Sequence, residues 1–580
     1  MFPISALASL PLVASAPAQD APETMRPVVR GTRAVIAAGT PATVEAGMRI
    51  LRAGGNAVDG GVAALFAAAA SELSHFGFGG EVPILIRTPA GAVSAINGQG
   101  PAPGLATREA FLERGEIPAE GVEVACVPGV LDAGIVALLR FGTRSFEEVV
   151  APAIELAEGF PFTELLEERL RRNEASVRKW PTSAAILLPG GKAPRPGDLL
   201  VQRDLAATLR DLVAAERAKR GEGREAGLEA VRDRFYRGPI ARRIAEFVEK
   251  EGGFLRAEDF AAFRAEVEEP VKTSFRGYEV YKCGFWCQGP ALLETLNILE
   301  GFDLRAMGQN SPRYVHSLTE AMKLAFADRD AAFGDPAFVP PPTEVLTKEY
   351  AARRRALLDP ERASRERRPG VGNGAIEASV RRREGGSGDT TCINAIDAEG
   401  TMFSATPSGA WFPSVIAGDT GIPLSQRLQA FVLDEGHPNV LAPGKRPRMT
   451  LTPTLVTRDG KPSLAISTPG GDVQDQAILQ AFLNVVEFGM NPQQAVEAPR
   501  FDTAHLQKSF AGHAFRPAHL ALEMRFPEAT IRDLAERGHD IEIRLPWGSP
   551  SAVTIVTFDP DRGVISAGAD PRRYRYAAGW

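Results

Sequence analysis

Residues 385–391 read Gly-Gly-Ser-Gly-Asp-Thr-Thr, and they join two parts of the chain that differ in composition. The part before the junction, residues 359–389, is rich in Arg, Glu and Gly and contains few large apolar side chains. Such a stretch cannot bury enough apolar surface to order itself, so we expect an exposed connection. The part after it is expected to form a strand at residues 390–397, a turn at 398–400 and a returning strand at 401–405.

The junction would place unusual chemistry on one side chain if the bond between Asp389 and Thr390 were cut. Thr390 would then carry a free α-amine beside its own β-hydroxyl. An α-amine has a pKa of about 7.7 to 8, so it can act as a general base and activate a threonine hydroxyl. The same hydroxyl could make the cut by attacking the preceding carbonyl, which gives an ester that water opens. Taken alone, a Thr-Thr pair is also an ordinary start of a strand, so the junction needs support from elsewhere in the chain.

Hydrophobic periodicity predicts both helices and strand pairs along the chain. The clearest helical patterns are at residues 40–53, 57–73, 205–217, 240–251, 314–333, 474–488 and 527–537. Strands are expected at residues 82–87, 453–457, 463–467, 552–558 and 564–567. The last four form two hairpins, one of them around Asp459-Gly460, which is a typical hairpin turn. Strand pairs packed with helices predict an α+β fold.

Composition excludes several classes of function. The 580 residues carry a net charge of −6, and no clustered basic face of the kind that binds nucleic acid is evident. No run reaches the roughly 20 apolar residues that a membrane span needs. The sequence contains no metal or dinucleotide motif, so we expect neither a metal nor an organic cofactor.

The first 18 residues are apolar and rich in small side chains, and Ala14-Ser15-Ala16 is similar to a signal-peptidase cleavage site. We therefore expect a leader within residues 1–25 and a periplasmic or secreted protein, with the cytoplasm as the alternative.

The chain has four cysteines, and none of them follows a zinc-binding pattern. Cys283 and Cys287 are close enough in sequence for a disulfide, and two free thiols are the alternative. In a regular strand Cys392 would share a face with Thr390, but no base that could activate the thiol is identifiable. His75 lies near a glycine-rich turn and could line a pocket or serve as a structural residue.

A series of short motifs runs in order from about Gly31 to the C-terminus. The first is Ile50-Leu51-Arg52-Ala53-Gly54-Gly55-Asn56-Ala57-Val58-Asp59. The later ones are Val127-Pro128-Gly129, Ala327-Asp328-Arg329, Gly334-Asp335-Pro336, Pro469-Gly470-Gly471, Ala495-Val496-Glu497-Ala498-Pro499-Arg500-Phe501 and Gly568-Ala569-Asp570-Pro571-Arg572. In this order they resemble the γ-glutamyltransferase family of N-terminal-nucleophile hydrolases, also called glutathione hydrolases.

The resemblance implies a four-layer αββα sandwich and a proenzyme that cuts itself at Asp389-Thr390 into a large segment, 26–389, and a small one, 390–580. The two segments would then remain together as subunits of one fold. The family nucleophile falls on Thr390, and a second family threonine near the freed amine falls on Ser408, which keeps the hydroxyl. The family oxyanion hole falls on Gly470 and Gly471, whose two amides would face a developing negative charge.

The positions that read a γ-glutamyl group differ from the family pattern. The arginine that holds the α-carboxylate is replaced by Gln99, and the aspartate that receives the α-amine is replaced by Ala430. A neighbouring amide is replaced by Arg427, and an asparagine beyond the second threonine by Ala410. The paired serines become Met449 and Thr450, so one hydroxyl remains there. Loss of these groups leaves the amino-acid head without its charged partners.

We therefore expect an amidase or acylase whose substrate is a small amide or peptide with an acyl group other than a standard γ-glutamyl. Arg427, with Arg446 or Arg448, could hold an anionic acyl group, and a surface or ion-paired structural role is the alternative for these arginines. Two other interpretations stay open. One is an authentic glutathione hydrolase or γ-glutamyl transpeptidase, and the other is a catalytically degenerate member that binds small peptides.

Overall fold

The structure is a computed structural model, and it describes residues 23–372, 389–510 and 512–580. The expected leader lies outside the described residues except for its last three positions. The connection expected at 359–389 is described only up to residue 372 and at Asp389. Residues 359–372 form no helix or strand, as expected, but Asp389 is buried rather than exposed.

The helices follow the periodic segments of the sequence closely. Thr40 caps the first helix by accepting a hydrogen bond from Thr43 N, with Pro41 at the first helical position, as the sequence indicates. The helices are α1 Pro41–Arg52, α2 Ala57–Ser71, α3 Arg108–Arg114, α4 Val130–Phe141, α5 Phe146–Glu158, α6 Glu164–Arg178, α7 Pro181–Leu187, α8 Arg203–Lys219, α9 Arg224–Tyr236, α10 Pro239–Lys250, α11 Ala257–Ala262, α12 Gly289–Leu299, α13 Leu304–Met307, α14 Pro312–Ala332, α15 Lys348–Arg355, α16 Gln474–Val486, α17 Pro492–Glu497 and α18 Glu528–Glu536.

The strands include the three expected hairpins. At the predicted turn, both Asp459 and Gly460 have positive φ, which matches the twist of the paired strands. The strands are β1 Val29–Gly31, β2 Ala34–Ala38, β3 Val82–Arg87, β4 Val93–Gly98, β5 Phe160–Pro161, β6 Leu199–Leu200, β7 Glu266–Glu268, β8 Val271–Phe275, β9 Tyr278–Lys282, β10 Ile393–Asp397, β11 Met402–Ala405, β12 Thr454–Arg458, β13 Lys461–Ser467, β14 Phe501–Asp502, β15 His519–Glu523, β16 Asp540–Arg544, β17 Thr554–Asp559, β18 Val564–Ala569 and β19 Tyr576–Gly579.

Two seven-stranded antiparallel sheets form the centre of the molecule. The first sheet has the order β19-β2-β10-β11-β3-β4-β7, and the second has the order β1-β18-β17-β13-β12-β9-β8. In the first sheet, β10 pairs with β2 from the N-terminal part of the chain and with β11 from the C-terminal part. Both expected segments, 26–389 and 390–580, therefore contribute strands to the same sheets.

The two sheets pack face to face, and helices cover both outer faces. Side chains from the facing sides of the sheets form one buried cluster, which includes Leu85 and Ile396 from the first sheet and Leu455 and Val556 from the second. A second cluster packs α1, α2, α4 and α5 on the first sheet, and a third packs α12, α14 and α16 on the second. The layers are therefore αββα, which confirms the expected four-layer sandwich.

The structure corrects the expected start of the strand at Thr390 and decides the state of Cys283 and Cys287. The strand expected from Thr390 begins only at Ile393, because Thr390 pairs with Ser408 as an isolated bridge and Thr391 N donates to Pro407 O. All four cysteines are free and buried, so Cys283 and Cys287 are two thiols rather than a disulfide. Among the described residues, no helix is long and apolar enough to cross a membrane.

Candidate active site

Thr390 lies just ahead of β10, at the end of the first sheet, and is 3% exposed. Its Oγ1 donates a hydrogen bond to Ser408 Oγ over 3.2 Å. Ser408 Oγ in turn donates to the carbonyl oxygen of Asp389 over 2.6 Å. The two hydroxyls therefore form a chain from the threonine side chain to the carbonyl of the bond that precedes Thr390.

Backbone pairing fixes the position of Ser408. Its N–H donates to Glu81 O and its carbonyl accepts from Glu81 N, each over 3.0 Å. Glu81 comes directly before β3, so the first sheet sets the distance between the two hydroxyls. This arrangement places a hydrogen-bond donor on the oxygen of the Asp389–Thr390 peptide, where negative charge would develop during self-cleavage.

The side chain of Asp389 is surrounded by positive and polar groups. Oδ1 accepts from Thr390 N at 2.9 Å and from Arg573 Nη1 at 2.5 Å, and Oδ2 lies 3.1 Å from Arg169 Nη2. Burial by itself would raise the pKa of Asp389, but Arg573, His75 and Arg169 hold that pKa well below its usual range. Asp389 is therefore ionised at neutral pH.

His75 lies beside this carboxylate, with Nε2 at 3.4 Å from Asp389 Oδ2 and Nδ1 at 2.6 Å from Ser74 Oγ. Burial lowers the pKa of His75 to about 4, even though Asp389 opposes the shift. The imidazole is therefore neutral at pH 7. The structure places His75 in contact with Asp389, the residue that precedes Thr390.

Gly470 and Gly471 follow β13 and lead into α16 through a 3-10 turn, Gly471–Val473. Their φ values are 126° and 58°, a region that favours glycine. A chain of contacts joins them to Thr390. Arg575 bridges Thr390 O and Ala552 O, and Ala552 N donates to Thr468 Oγ1, two residues before Gly470. The glycine pair thus lies at the end of the second sheet, in the same region as Thr390.

Arg427 is buried at 1% exposure and is held at one nitrogen only. Its Nε donates to Glu81 Oε1 over 2.6 Å, while Nη1 and Nη2 have no hydrogen-bond partner among the described residues. The guanidinium lies 5.0 Å from the ring centroid of Trp411 and 5.7 Å from that of Phe510. Because the backbone of Glu81 also pairs with Ser408, Arg427 is linked through Glu81 to the residue that contacts Thr390.

The other positions expected to bind substrate, Gln99, Ala430, Met449 and Thr450, are also buried. Gln99 Oε1 and Thr450 Oγ1 also have no partner within the described chain. Met449 packs in the apolar cluster between the sheets, and Ala430 O accepts from Asn439 Nδ2. Buried polar atoms without partners are rare in native proteins, and a bound ligand is one explanation for them.

The two arginines proposed to assist Arg427 have other partners. Arg446 Nε donates to Gln99 O, and its Nη2 lies 3.1 Å from Glu266. Arg448 Nη1 donates to Arg329 O, and burial lowers the pKa of Arg448 to about 10. These contacts support the ion-paired or structural interpretation for both residues, which leaves Arg427 as the candidate anion-binding arginine.

Sequence reasoning missed Glu81, Trp411, Phe510, Arg169 and Arg573. Most of these residues have partners far away in the chain; Glu81 and Arg427, for example, are separated by 346 positions. No local pattern in the sequence signals such a pairing.

One group of potential metal ligands occurs in the described part of the chain, namely His316, Glu320 and His539. Glu320 already pairs with Lys323 at 2.5 Å and with Arg368 at 3.4 Å. Two cations beside the carboxylate oppose the binding of a further cation. This group is therefore a poor metal site, and it does not contact Thr390.

Comparisons with known proteins extend over nearly the whole chain. The family profile described as Gamma-glutamyltranspeptidase matches residues 43–580. The acylase ACY 1 proenzyme of Pseudomonas sp. (strain SE83) is 34% identical over 553 residues, which cover 93% of this chain and 92% of that protein. The glutathione hydrolase-like YwrD proenzyme of Bacillus subtilis (strain 168) is 34% identical over 560 residues, covering 94% and 98% of the two chains.

Solved structures give the same result. The crystal structure of cephalosporin acylase from Bacillus halodurans superimposes with a TM-score of 0.84 at 30% identity. The superposition covers 98% of this chain and 99% of that one. The similarity therefore includes the sheets, the helical layers and the region around Thr390.

Proposed function

Because the chain belongs to the γ-glutamyltranspeptidase family of self-processed proenzymes, we propose that it cuts itself between Asp389 and Thr390 and then uses Thr390 to hydrolyse an amide. The observation that carries this proposal is the hydroxyl chain from Thr390 Oγ1 through Ser408 Oγ to Asp389 O. It joins the nucleophile to the bond that must break.

Self-cleavage would begin with attack of Thr390 Oγ on the carbonyl carbon of Asp389. The new C–O bond forms, the C–N bond breaks, and the hydroxyl proton ends on the Thr390 nitrogen, which gives an ester. Ser408 Oγ donates to the carbonyl oxygen and stabilises its negative charge while the tetrahedral intermediate exists. Water then hydrolyses the ester, which leaves the Asp389 α-carboxylate and a Thr390 with free amine and hydroxyl.

Turnover uses the same side chain in a second reaction. The freed α-amine of Thr390 accepts the hydroxyl proton as general base. The oxygen attacks the substrate carbonyl, and the amides of Gly470 and Gly471 face the resulting oxyanion. Expulsion of the amine gives an acyl-enzyme, which water or an acceptor amine resolves.

The acyl group is expected to differ from a standard γ-glutamyl. A glutamyl head carries an ammonium, and the position that would neutralise it is the buried, uncharged Ala430. Arg427 instead offers two nitrogens, Nη1 and Nη2, that have no hydrogen-bond partner among the described residues. Gln99 likewise is a buried polar side chain with one such atom, Oε1. We propose an acyl chain that ends in a carboxylate or a similar anion, which a guanidinium binds with two hydrogen bonds. The acylase names of two relatives fit an acyl group outside the γ-glutamyl class.

The first prediction concerns maturation. Denaturing electrophoresis with N-terminal sequencing should show two fragments, the smaller beginning at Thr390, whereas Thr390→Ala protein should remain in one piece. An intact wild-type chain would rule out self-cleavage. The cleaved protein is then tested on a panel of γ-glutamyl, dicarboxylic monoacyl and neutral acyl anilides. Turnover of none of them would favour a degenerate family member that binds peptides. Efficient turnover of the γ-glutamyl anilide would favour an authentic glutathione hydrolase.

A further inference from the structure

The carboxylate of Asp389 lies in a cationic pocket that the mechanism above does not use. Arg573 Nη1 and Arg169 Nη2 contact different oxygens of the carboxylate, at 2.5 and 3.1 Å, and His75 Nε2 lies 3.4 Å away. The side chain of Asp389 is 6% exposed. A buried carboxylate is stable only when it is paired and hydrogen-bonded, so this pocket is built around a negative charge.

The contacts also fix the conformation of the scissile peptide. Oδ1 accepts from Thr390 N, the nitrogen that leaves during self-cleavage, while the carbonyl oxygen of Asp389 accepts from Ser408 on the other side. Arg573 holds that same Oδ1. The side chain is therefore held on the nitrogen side of the bond, while the carbonyl oxygen points toward Ser408.

We propose that Arg169, Arg573 and His75 form a carboxylate-binding site, and that its occupation by Asp389 orients the scissile carbonyl for self-cleavage. Asp389 is thus a positioning residue, since its side chain acts through the peptide that it aligns. The inference rests on the proposed self-cleavage at Thr390. It adds a ligand class, a small carboxylate, for a cluster of two arginines and a neutral histidine that has no other role in the mechanism.

The origin of the three residues gives the site a second property. Arg169 lies on α6, His75 follows α2, and Arg573 lies between β18 and β19. In the folded chain these segments lie together beside the pairing of β19 with β2. The proposed orientation of the scissile peptide therefore needs contributions from α6, from the segment after α2 and from the segment before β19.

The test measures the conversion of purified full-length proenzyme into two fragments over time. We expect Asp389→Asn and Asp389→Ala to slow conversion by about tenfold or more, because misplacement of a reacting group by 1 Å can cost roughly 100-fold in rate. Sodium formate should accelerate Asp389→Ala with a saturating dependence on concentration. The same salt should have no effect on an Asp389→Ala/Arg573→Met double variant.

A matched control comes from the same helix. Arg169→Met should slow conversion. Arg171→Met should not, because the side chain of Arg171 is 66% exposed. Thermal unfolding of each variant shows whether its fold is kept. Conversion of Asp389→Asn at the wild-type rate, or a folded Asp389→Ala that formate leaves unchanged, would overturn the inference. Failure of the wild-type chain to convert would instead refute the proposed function, so the two outcomes are distinguishable.

Discussion

At the scale of single residues, Arg427 is unusual because only one of its five side-chain N–H donors has a hydrogen-bond partner in the part of the chain that the structure describes. Glu81 binds Nε, and two aromatic rings enclose the guanidinium. A buried arginine normally has more of its donors satisfied, since each unmet donor costs free energy. The arrangement fixes the group in place and leaves Nη1 and Nη2 without a hydrogen-bond partner among the described residues, which the proposed binding of an anion requires.

The second prediction is therefore about substrate charge. Arg427→Gln should raise KM for an anilide with a terminal carboxylate on its acyl chain by about 10- to 100-fold, since a charged hydrogen bond contributes roughly 1.5–3 kcal/mol. The same variant should change KM for an isosteric neutral acyl anilide much less. Self-cleavage should continue, because Arg427 does not touch the Asp389–Thr390 peptide. Equal losses with both anilides would contradict a role in binding the anion.

At the scale of elements, β9 and α16 are joined by a fully buried ion pair. Lys282 Nζ donates to Asp475 Oδ1 at 2.7 Å and also to Thr452 Oγ1 and Thr454 Oγ1. Asp475 lies in the first turn of α16, where a negative charge is also favoured by the helix dipole. Since α16 follows Gly470 and Gly471 after one 3-10 turn, this ion pair fixes the start of the helix next to the glycines.

The third prediction tests that anchor in the Thr390→Ala background, which we expect to stay a single chain. Lys282→Met should lower the free energy of unfolding by about 3–5 kcal/mol, because it leaves a buried carboxylate unpaired. Lys272→Met, which breaks an exposed pair with Glu279 on the neighbouring strand, should change it by less than about 1 kcal/mol. Urea denaturation measures both values. Similar effects of the two variants would show that the buried pair is not a specific anchor.

At the scale of the whole molecule, the histidines give the fold a common response to acid. The chain has seven histidines, and burial is the first cause of a lowered pKa for each of them. The pKa is lowered to about 4 for His75, about 3 for His437 and His505, and about 2 for His539. His316, His513 and His519 are shifted in the same direction.

The sign of the effect follows from proton binding. An unfolded histidine takes up a proton as the pH falls through about 6.5, whereas the folded one stays neutral until its lowered pKa is reached. The unfolded state therefore binds more protons in this window, and the protein loses stability as the pH falls. Carboxylates whose pKa is raised by burial, such as Glu268, act in the opposite direction.

The fourth prediction isolates one histidine. Between pH 7 and pH 5, the His437→Asn variant should lose less stability than the same protein with His437. His437 is neutral in the folded protein and becomes charged in the unfolded chain over this range. Glu268→Gln should lose more, since it removes an opposing group. Thermal unfolding midpoints at several pH values, again in the Thr390→Ala background, measure both slopes. Parallel curves for all three proteins would contradict the assignment.

The fold was largely predictable because local patterns carry its elements. The hairpin at Asp459-Gly460 follows from the turn preference of that pair, and the helix after the glycine pair follows from its hydrophobic periodicity. The start of β10 was predicted three residues too early, because a contact with Ser408 overrides the strand preference at Thr390. The four-layer arrangement came from the resemblance to a family and was confirmed by the facing sheets.

The sequence by itself determined the class of fold, the junction at Thr390 and the hydroxyl retained at Ser408, because each depends on residue identity at a recognisable position. Only the tertiary structure decided which groups meet there. The pocket of Arg169, His75 and Arg573 around Asp389, and the pairing of Arg427 with Glu81, join residues hundreds of positions apart. Charges at such separations come together only when the packing of sheets and helices excludes water and fixes the distances, and no pattern of neighbouring residues records that result.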